Sequence, residues 1–191
     1  MTTGRGMNDL AARSLQQQAS PFGQAGCSVE TGDHALEVRA PGVTLALQYR
    51  TQRYLFARIH QLRAVAEIMA DGPDEPCELR LEVRNRRHGT FRWSGAPGAA
   101  GVIHALNHEP CAQATSDLVS SVDLVECSLH WFPHSKTWQV RIEPYAGSQV
   151  RLLLPPLHYI STLTAAEAGI VVRIARAVST ALRSTPERST T

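Results

Sequence analysis

Three residues in the middle of the chain have a spacing that suits a metal ion. His104, His108 and Cys111 are four and three residues apart, which on one helix would bring two imidazoles and a thiol to the same face. Pro110 interrupts such a helix, because proline is not tolerated in a helix interior. No second ligand pair at a fixed spacing completes a closed site. We therefore predict no metal centre.

A cluster of arginines suits the binding of an anion. The run Arg84-Asn85-Arg86-Arg87-His88 separates two alternating segments, so it is predicted to form the tip of a hairpin. Guanidinium groups bind phosphate well, although polar residues are also usual in a solvated turn. Phosphate or RNA binding is therefore an alternative, but nucleic acid is disfavoured because no aromatic residues interleave the arginines. The candidate anion-binding residues are Arg80, Arg84, Arg86, Arg87 and Arg92.

Two further histidine segments lie at the ends of predicted elements. In His130-Trp131-Phe132-Pro133-His134 no carboxylate or nucleophile stands at a fixed offset, as a general base would need. Strand alternation instead places Trp131 inward and the histidines outward. His158-Tyr159 precedes a helix start, where free N–H groups can bind an anion. The chain also lacks the common hydrolase, phosphate-loop and dinucleotide motifs, so we predict no catalytic residue and no cofactor, and an enzyme is disfavoured.

The stretch from Val122 to Leu182 has the clearest pattern. Apolar and polar residues alternate over 125–131, 138–143 and 150–154, which predicts three antiparallel strands. Thr164 and Glu167 have the spacing of a capping box, which predicts that a helix starts there. Its buried stripe is predicted to be Val171, Ile174, Val178 and Leu182.

The earlier part of the chain predicts further strands and helices. From Tyr54 to Met69 the apolar residues recur at spacings of four and three, which predicts a helix over 54–69. A short helix is predicted at 10–19, and two helical pieces broken near Pro110 at 102–119. Strands are predicted at 27–31 and 35–40, which Gly32-Asp33 joins, and at 43–50, 79–83 and 90–93.

Length and composition predict one folded domain. The 191 residues can bury a core without a disulfide, and the four cysteines form no C-x-x-C pair, so reduced thiols are expected. A net charge of +2 is too small to demand a nucleic-acid partner. No secretory signal and no spanning apolar run is present, so we predict a cytoplasmic protein with no membrane partner. The domain is assigned to residues 10–183, with disordered tails at 1–9 and 184–191.

These elements predict an α+β fold. It consists of an antiparallel sheet of about seven strands with helices packed on one face, and a long C-terminal helix lies across the sheet. In layout, the final helix on a meander resembles the helix-grip domains, which enclose apolar ligands. The alternation of helices and hairpins also resembles type III secretion chaperones, but those are typically acidic.

The leading hypothesis for function is a noncatalytic binding or adaptor protein that acts through a protein partner or self-association. An alternative is a helix-grip-like domain with a cavity for a small apolar ligand under the C-terminal helix. This alternative is compatible with an enzymatic function. The candidate ligand-binding residues are Trp131, Trp138, Leu152, Val171, His158 and Tyr159.

Overall fold

The computed structural model describes residues 5–31, 35–85 and 90–185, with the side chains of the first helix from Ser14 onward. These residues form an antiparallel sheet and four α-helices, so the predicted α+β class is confirmed. The predicted break near Pro110 is confirmed, because Pro110 lies between two separate helices. The helices are α1 (Arg5–Gln24), α2 (Ala100–Asn107), α3 (Cys111–Ser121) and α4 (Ala165–Ser184).

The sheet has ten strands rather than about seven. Its main path has the order β1-β2-β3-β4-β8-β7-β5-β6, while β9 pairs with β4, and β10 pairs with β9. The strands are β1 (Ser28–Thr31), β2 (Leu36–Ala40), β3 (Val43–Arg53), β4 (Ala57–Met69), β5 (Cys77–Asn85), β6 (Thr90–Gly95), β7 (Leu124–Phe132), β8 (Thr137–Pro144), β9 (Gln149–Leu153) and β10 (Pro156–Ile160).

Helix α4 lies against α1, α3 and the central strands, and this confirms the predicted C-terminal helix. The Thr164 hydroxyl accepts a hydrogen bond from the Glu167 backbone N–H at 3.2 Å, and the Glu167 carboxylate accepts one from the Thr164 N–H at 2.8 Å. This capping box satisfies two N–H groups of the first turn. The predicted buried stripe is also confirmed, since each of its members is at most 2% exposed: Val171, Ile174, Val178 and Leu182.

The helix predicted over 54–69 is wrong, because these residues form the β3–β4 turn and strand β4. Two residues of the predicted apolar stripe, Leu55 and Met69, are 83% and 76% exposed. The buried side chains follow period two instead, from Leu62 through Ala64 and Ala66 to Ile68. Pairing with β3 on one side and with β8 and β9 on the other determines the backbone, so tertiary contacts override the local helical spacing.

Strand β4 has two partners on the same edge. Its residues 64–69 pair with β8, and its residues 57–60 pair with β9. Residues 145–148 separate β8 from β9, and β10 then folds back along β9. The position of β10 at a sheet edge accommodates Pro156.

The N-terminal helix differs in extent from its prediction, and three predicted segments lie wholly or mostly outside the described residues. Helix α1 begins at Arg5, so it is longer than the predicted helix at 10–19 and overlaps the predicted tail at 1–9. Most of the predicted C-terminal tail, the Gly32-Asp33 turn and residues 86–89 lie outside the described residues.

Candidate functional site

The most unusual surface of the molecule is an arm at one end of the sheet. We define the arm as residues 49–60, which end β3 and begin β4, together with residues 149–160, which contain β9 and β10. All of β10 is exposed. Eight of the thirteen exposed large hydrophobic side chains in the described residues belong to this arm: Tyr54, Leu55, Phe56, Leu153, Leu154, Leu157, Tyr159 and Ile160.

Two turns form the end of the arm. The β3–β4 turn is closed by a 2.8 Å hydrogen bond from the Tyr54 N–H to the Ala57 carbonyl. The Leu153 N–H donates to the Phe56 carbonyl, also at 2.8 Å, and this joins the turn to the β9–β10 hairpin. The two turns therefore present their side chains at one common tip. We define the tip as residues 54–57 and 152–157; all ten are apolar or aromatic, with Tyr54 the only one that carries a polar side-chain group.

A row of basic side chains crosses the arm directly behind the tip. Arg53 pairs with Arg58, Arg58 with Arg151, and Arg151 with His158, so four strands each contribute one basic residue. Paired residues of neighbouring strands lie at the same height along the strands. Cross-strand positions generally favour opposite charges over like charges.

The arm as a whole contains no acidic residue. Its 24 residues include four arginines and two histidines, although the chain has 17 Asp and Glu residues elsewhere. Burial lowers the pKa of His60, and the positive charge of Arg58 and the imidazole of His158 lower it further. The arm therefore has a positive field beside an apolar tip.

Polar contacts hold the base of the arm against α1. The Tyr49 hydroxyl lies 3.0 Å from Gln149 Nε2, 3.3 Å from the Gly147 carbonyl and 3.4 Å from Ser14 Oγ. Burial raises the pKa of Tyr49. Gln18 donates to the Ser161 carbonyl at 3.1 Å. These contacts fix where the arm leaves the core.

The face of the sheet opposite the helices carries an ion-pair network. Glu143 has a side chain only 1% exposed. It accepts a hydrogen bond from Arg63 Nε at 2.6 Å and forms a salt bridge with Nη2 of the same guanidinium. Arg50 lies 3.8 Å from both Glu143 and Glu126. The buried carboxylate is therefore compensated by neighbouring guanidinium groups, as a buried charge must be.

His130 lies beside this network. Its Nε2 is 3.1 Å from Ser128 Oγ and 3.1 Å from Arg141 Nη1. A guanidinium only donates hydrogen bonds, so Nε2 accepts and the imidazole is neutral. Burial lowers the pKa of His130, and the charge of Arg141 lowers it further. Glu78 approaches the same nitrogen, at 3.9 Å, and Ser128 is fully buried, so a nucleophilic triad is not assembled here.

The possible ligand atoms of Glu78, Glu126 and His130 lie within 4.8 Å of one another. Two carboxylates and an imidazole are residue types that bind metal ions. Sequence reasoning missed this group because its members come from two strands. The fit to a cation is poor, however. Arg80 Nε lies 2.7 Å from Glu78 Oε1, and Arg141 already occupies the accepting side of the His130 ring. We interpret the group as part of the ion-pair network.

The six predicted ligand-binding residues do not line one cavity. Trp131 and Trp138 are cross-strand partners with ring centroids 5.0 Å apart, and their indoles donate to the carbonyls of Pro73 and Asp71. Val171 is fully buried in α4. Trp138 pairs with Ile68 of β4, whereas Leu152 pairs with Ala57. Ala57 and Ile68 are eleven positions apart along β4, which is roughly 35 Å at the rise of a strand.

The remaining two candidates, His158 and Tyr159, lie in β10 and are exposed. They belong with Leu152 to the arm rather than to the space under α4. The predicted ligand set is therefore divided between the core and the arm.

A cavity of about 480 Å³ lies between β5 and β7. These strands pair only from Cys77 to Arg80 and then diverge. The surface that faces the cavity is more polar than apolar, although most of the lining residue types are apolar: Leu81, Val83, Arg84, Leu124, Val125, Glu126 and Cys127.

Of the candidate anion-binding arginines, Arg84 borders this cavity, Arg80 pairs with Glu78, and Arg92 lies opposite Glu82. Arg86 and Arg87 lie outside the described residues. Anion binding by this hairpin stays a prediction.

The prediction that Pro110 interrupts a helix shared by His104, His108 and Cys111 agrees with the structure. His104 and His108 are exposed with ring centroids 4.0 Å apart, whereas Cys111 is buried. All four cysteines are free. Burial raises the pKa of Cys111 to about 11 and also raises the pKa of Cys127, Cys77 and Cys27.

The tip was missed by sequence reasoning, although a signal was present. Two apolar segments about 100 residues apart, 54–57 and 152–157, are each preceded by an arginine. Only the pairing of β4 with β9 brings them together.

In the described residues, the helices are too short or too polar to cross a membrane. No curated protein and no solved structure matches the chain. Residues 20–182, a span that includes all ten strands, match the family described as "Protein of unknown function (DUF3156)". The chain therefore belongs to this family.

Proposed function

We propose that this protein is a noncatalytic binding protein that docks through the tip of its arm onto a surface that is both apolar and anionic. The exposure of the tip carries this proposal, with Leu55 at 83% and Leu154 at 72%. Large exposed apolar patches on soluble domains usually mark interaction sites. The basic row behind the tip supports an anionic partner by charge complementarity.

A noncatalytic role is supported by the state of the ionisable groups. Ser128 is fully buried, and Arg141 donates to the nitrogen of His130 that a general base would use. The thiols with raised pKa values are poor nucleophiles, because the thiolate is the reactive form.

The test uses anilinonaphthalene sulfonate, a fluorescent probe that combines an apolar ring system with one anionic group. We expect the native protein to bind the probe, and we expect the double variant Leu55→Ser/Leu154→Ser to lose this binding. The matched control is Met69→Ser, which changes an equally exposed residue at the opposite end of β4. No binding by the native protein, or equal binding by the tip variant, would contradict the proposal.

A second candidate function is the binding of a small ligand in the cavity between β5 and β7. The volume of about 480 Å³ favours it, since ligand pockets typically measure about 300–1,000 Å³. Val125→Trp should fill this cavity. If this substitution abolishes probe binding and the tip variant does not, the cavity is the binding site.

A further inference from the structure

We infer that the surface docked by the tip is that of an anionic lipid bilayer, an inference that rests on the proposed function. The strands of the arm place their charges and their apolar side chains at different heights. The basic row lies at one height across four strands, and each of the ten residues beyond it is apolar or aromatic. A flat membrane interface requires this arrangement, because all the apolar groups must lie deeper than all the charged groups.

The dimensions of the tip agree with those of a bilayer surface. Leu55 lies two residues beyond Arg53, and Leu154 lies three beyond Arg151. At the rise of a strand, the tip therefore projects about 7–10 Å past the basic row. Apolar groups of surface-bound proteins enter the boundary between headgroups and acyl chains by about 5–10 Å. The arginines would then lie at the level of the lipid phosphates.

The residue types at the tip also suit this interface. Tyr54, Phe56 and Tyr159 are exposed aromatic side chains close to the basic row. Aromatic rings are enriched at the membrane–water interface, where an apolar body and a polar edge are both accommodated. An acidic protein partner would need the same charge and apolar area, but it would not require all the basic groups at one height.

This inference differs from the sequence-based prediction of no membrane partner. That prediction rested on the lack of a spanning segment. Surface docking requires only apolar area and electrostatic attraction, so a span is not needed.

The experiment is flotation of the full chain with vesicles of phosphatidylcholine alone or mixed with phosphatidylglycerol. We expect flotation with the mixed vesicles only. Arg53→Gln and Arg151→Gln should each weaken binding about fivefold, and Leu55→Ser/Leu154→Ser should weaken it about tenfold or more. The controls Arg183→Gln, at an exposed position of α4, and Met69→Ser should bind like the native protein.

The depth of the tip can be measured separately in a Leu55→Trp variant. The native tryptophans Trp93, Trp131 and Trp138 are at most 4% exposed, so the new indole dominates the response to lipid. We expect a blue shift and quenching by lipids brominated in their acyl chains. Flotation without this quenching would show that the tip does not enter the bilayer and would overturn the inference.

The outcomes separate the two proposals. If the native protein does not float with anionic vesicles but still binds the probe at its tip, the bilayer inference is overturned and an acidic protein is left as the partner. Loss of both would also contradict the proposed function. Equal weakening by tip variants and controls would show that the protein binds through its overall charge, which would overturn the inference.

Discussion

Arg58 of β4 and Arg151 of β9 lie directly opposite each other, so two positive charges occupy one cross-strand position of the arm. Arg53 and His158 extend the same row on either side. Opposite charges at such positions would stabilise the sheet, whereas like charges destabilise it. Like charges at paired positions are expected where the charges serve binding.

The first prediction separates stability from binding at Arg151. Arg151→Glu should raise the free energy of unfolding by about 0.5 kcal/mol, because the new carboxylate lies between Arg58 and His158. The same change should lower affinity for anionic vesicles by more than Arg151→Gln does. Urea denaturation and flotation measure the two effects. A variant that is less stable than the native protein would show that the row is not a strained arrangement.

The second prediction concerns the buried ion pair between Arg63 and Glu143. Arg63→Met should cost about 3 kcal/mol, because the Glu143 carboxylate stays buried without its closest partner and Arg50 lies no nearer than 3.8 Å. The double variant Arg63→Met/Glu143→Leu should recover most of this loss, since no buried charge then remains. Urea denaturation of the native protein and both variants measures this. Equal losses in the single and double variants would mean that packing, rather than charge, determines the cost.

The third prediction concerns the capping box of α4. Thr164→Ala removes the side chain that accepts from the Glu167 N–H, and it should cost about 1 kcal/mol. Thr180→Ala is the matched control, because Thr180 lies on the exposed face of the same helix and alanine is a better helix former. Thermal unfolding should show a lower midpoint for Thr164→Ala only.

The fourth prediction concerns pH. Burial and Arg141 lower the pKa of His130 below its ordinary 6.5 in the folded protein, with Glu78 and Glu126 opposing the shift. The unfolded chain therefore binds more protons just below pH 6.5, so stability should fall as the pH decreases through that value. The fall should end once the pH is below the lowered pKa.

His130→Gln should flatten this pH dependence, and His134→Gln, an exposed neighbour, should leave it as in the native protein. Denaturation midpoints between pH 5 and pH 8 provide the measurement. An unchanged slope in His130→Gln would assign the pH dependence to other groups, of which His60 is the first to consider, because its pKa is also lowered.

Local information was sufficient for α4 and for the strands around it. The cap at Thr164 and the stripe from Val171 to Leu182 lie within one segment, and neighbouring strands 125–131 and 138–143 are joined by a short turn. Strand β4 was mispredicted because Ala64 and Ala66 are small and carry little periodic signal. Their burial depends on strands that come both before and after β4.

The site could not be predicted because it depends on contacts across long stretches of sequence. Arg58 and Arg151 become neighbours only when β9 pairs with the first residues of β4. The Glu143–Arg63 pair likewise spans 80 residues. Composition identified the residue types, but the register between distant strands decided which of them meet.

Strand β4 continues without interruption from the tip into the core, where Leu62 is fully buried. The arm is therefore joined to the core by a continuous strand rather than by a loop. A surface that binds the tip would therefore also set the orientation of the rest of the protein. Side chains alternate between the two faces of a strand. One residue inserted between Gln61 and Leu62 would therefore move the side chains of the arm part of β4 to the opposite face and leave the core sequence unaltered.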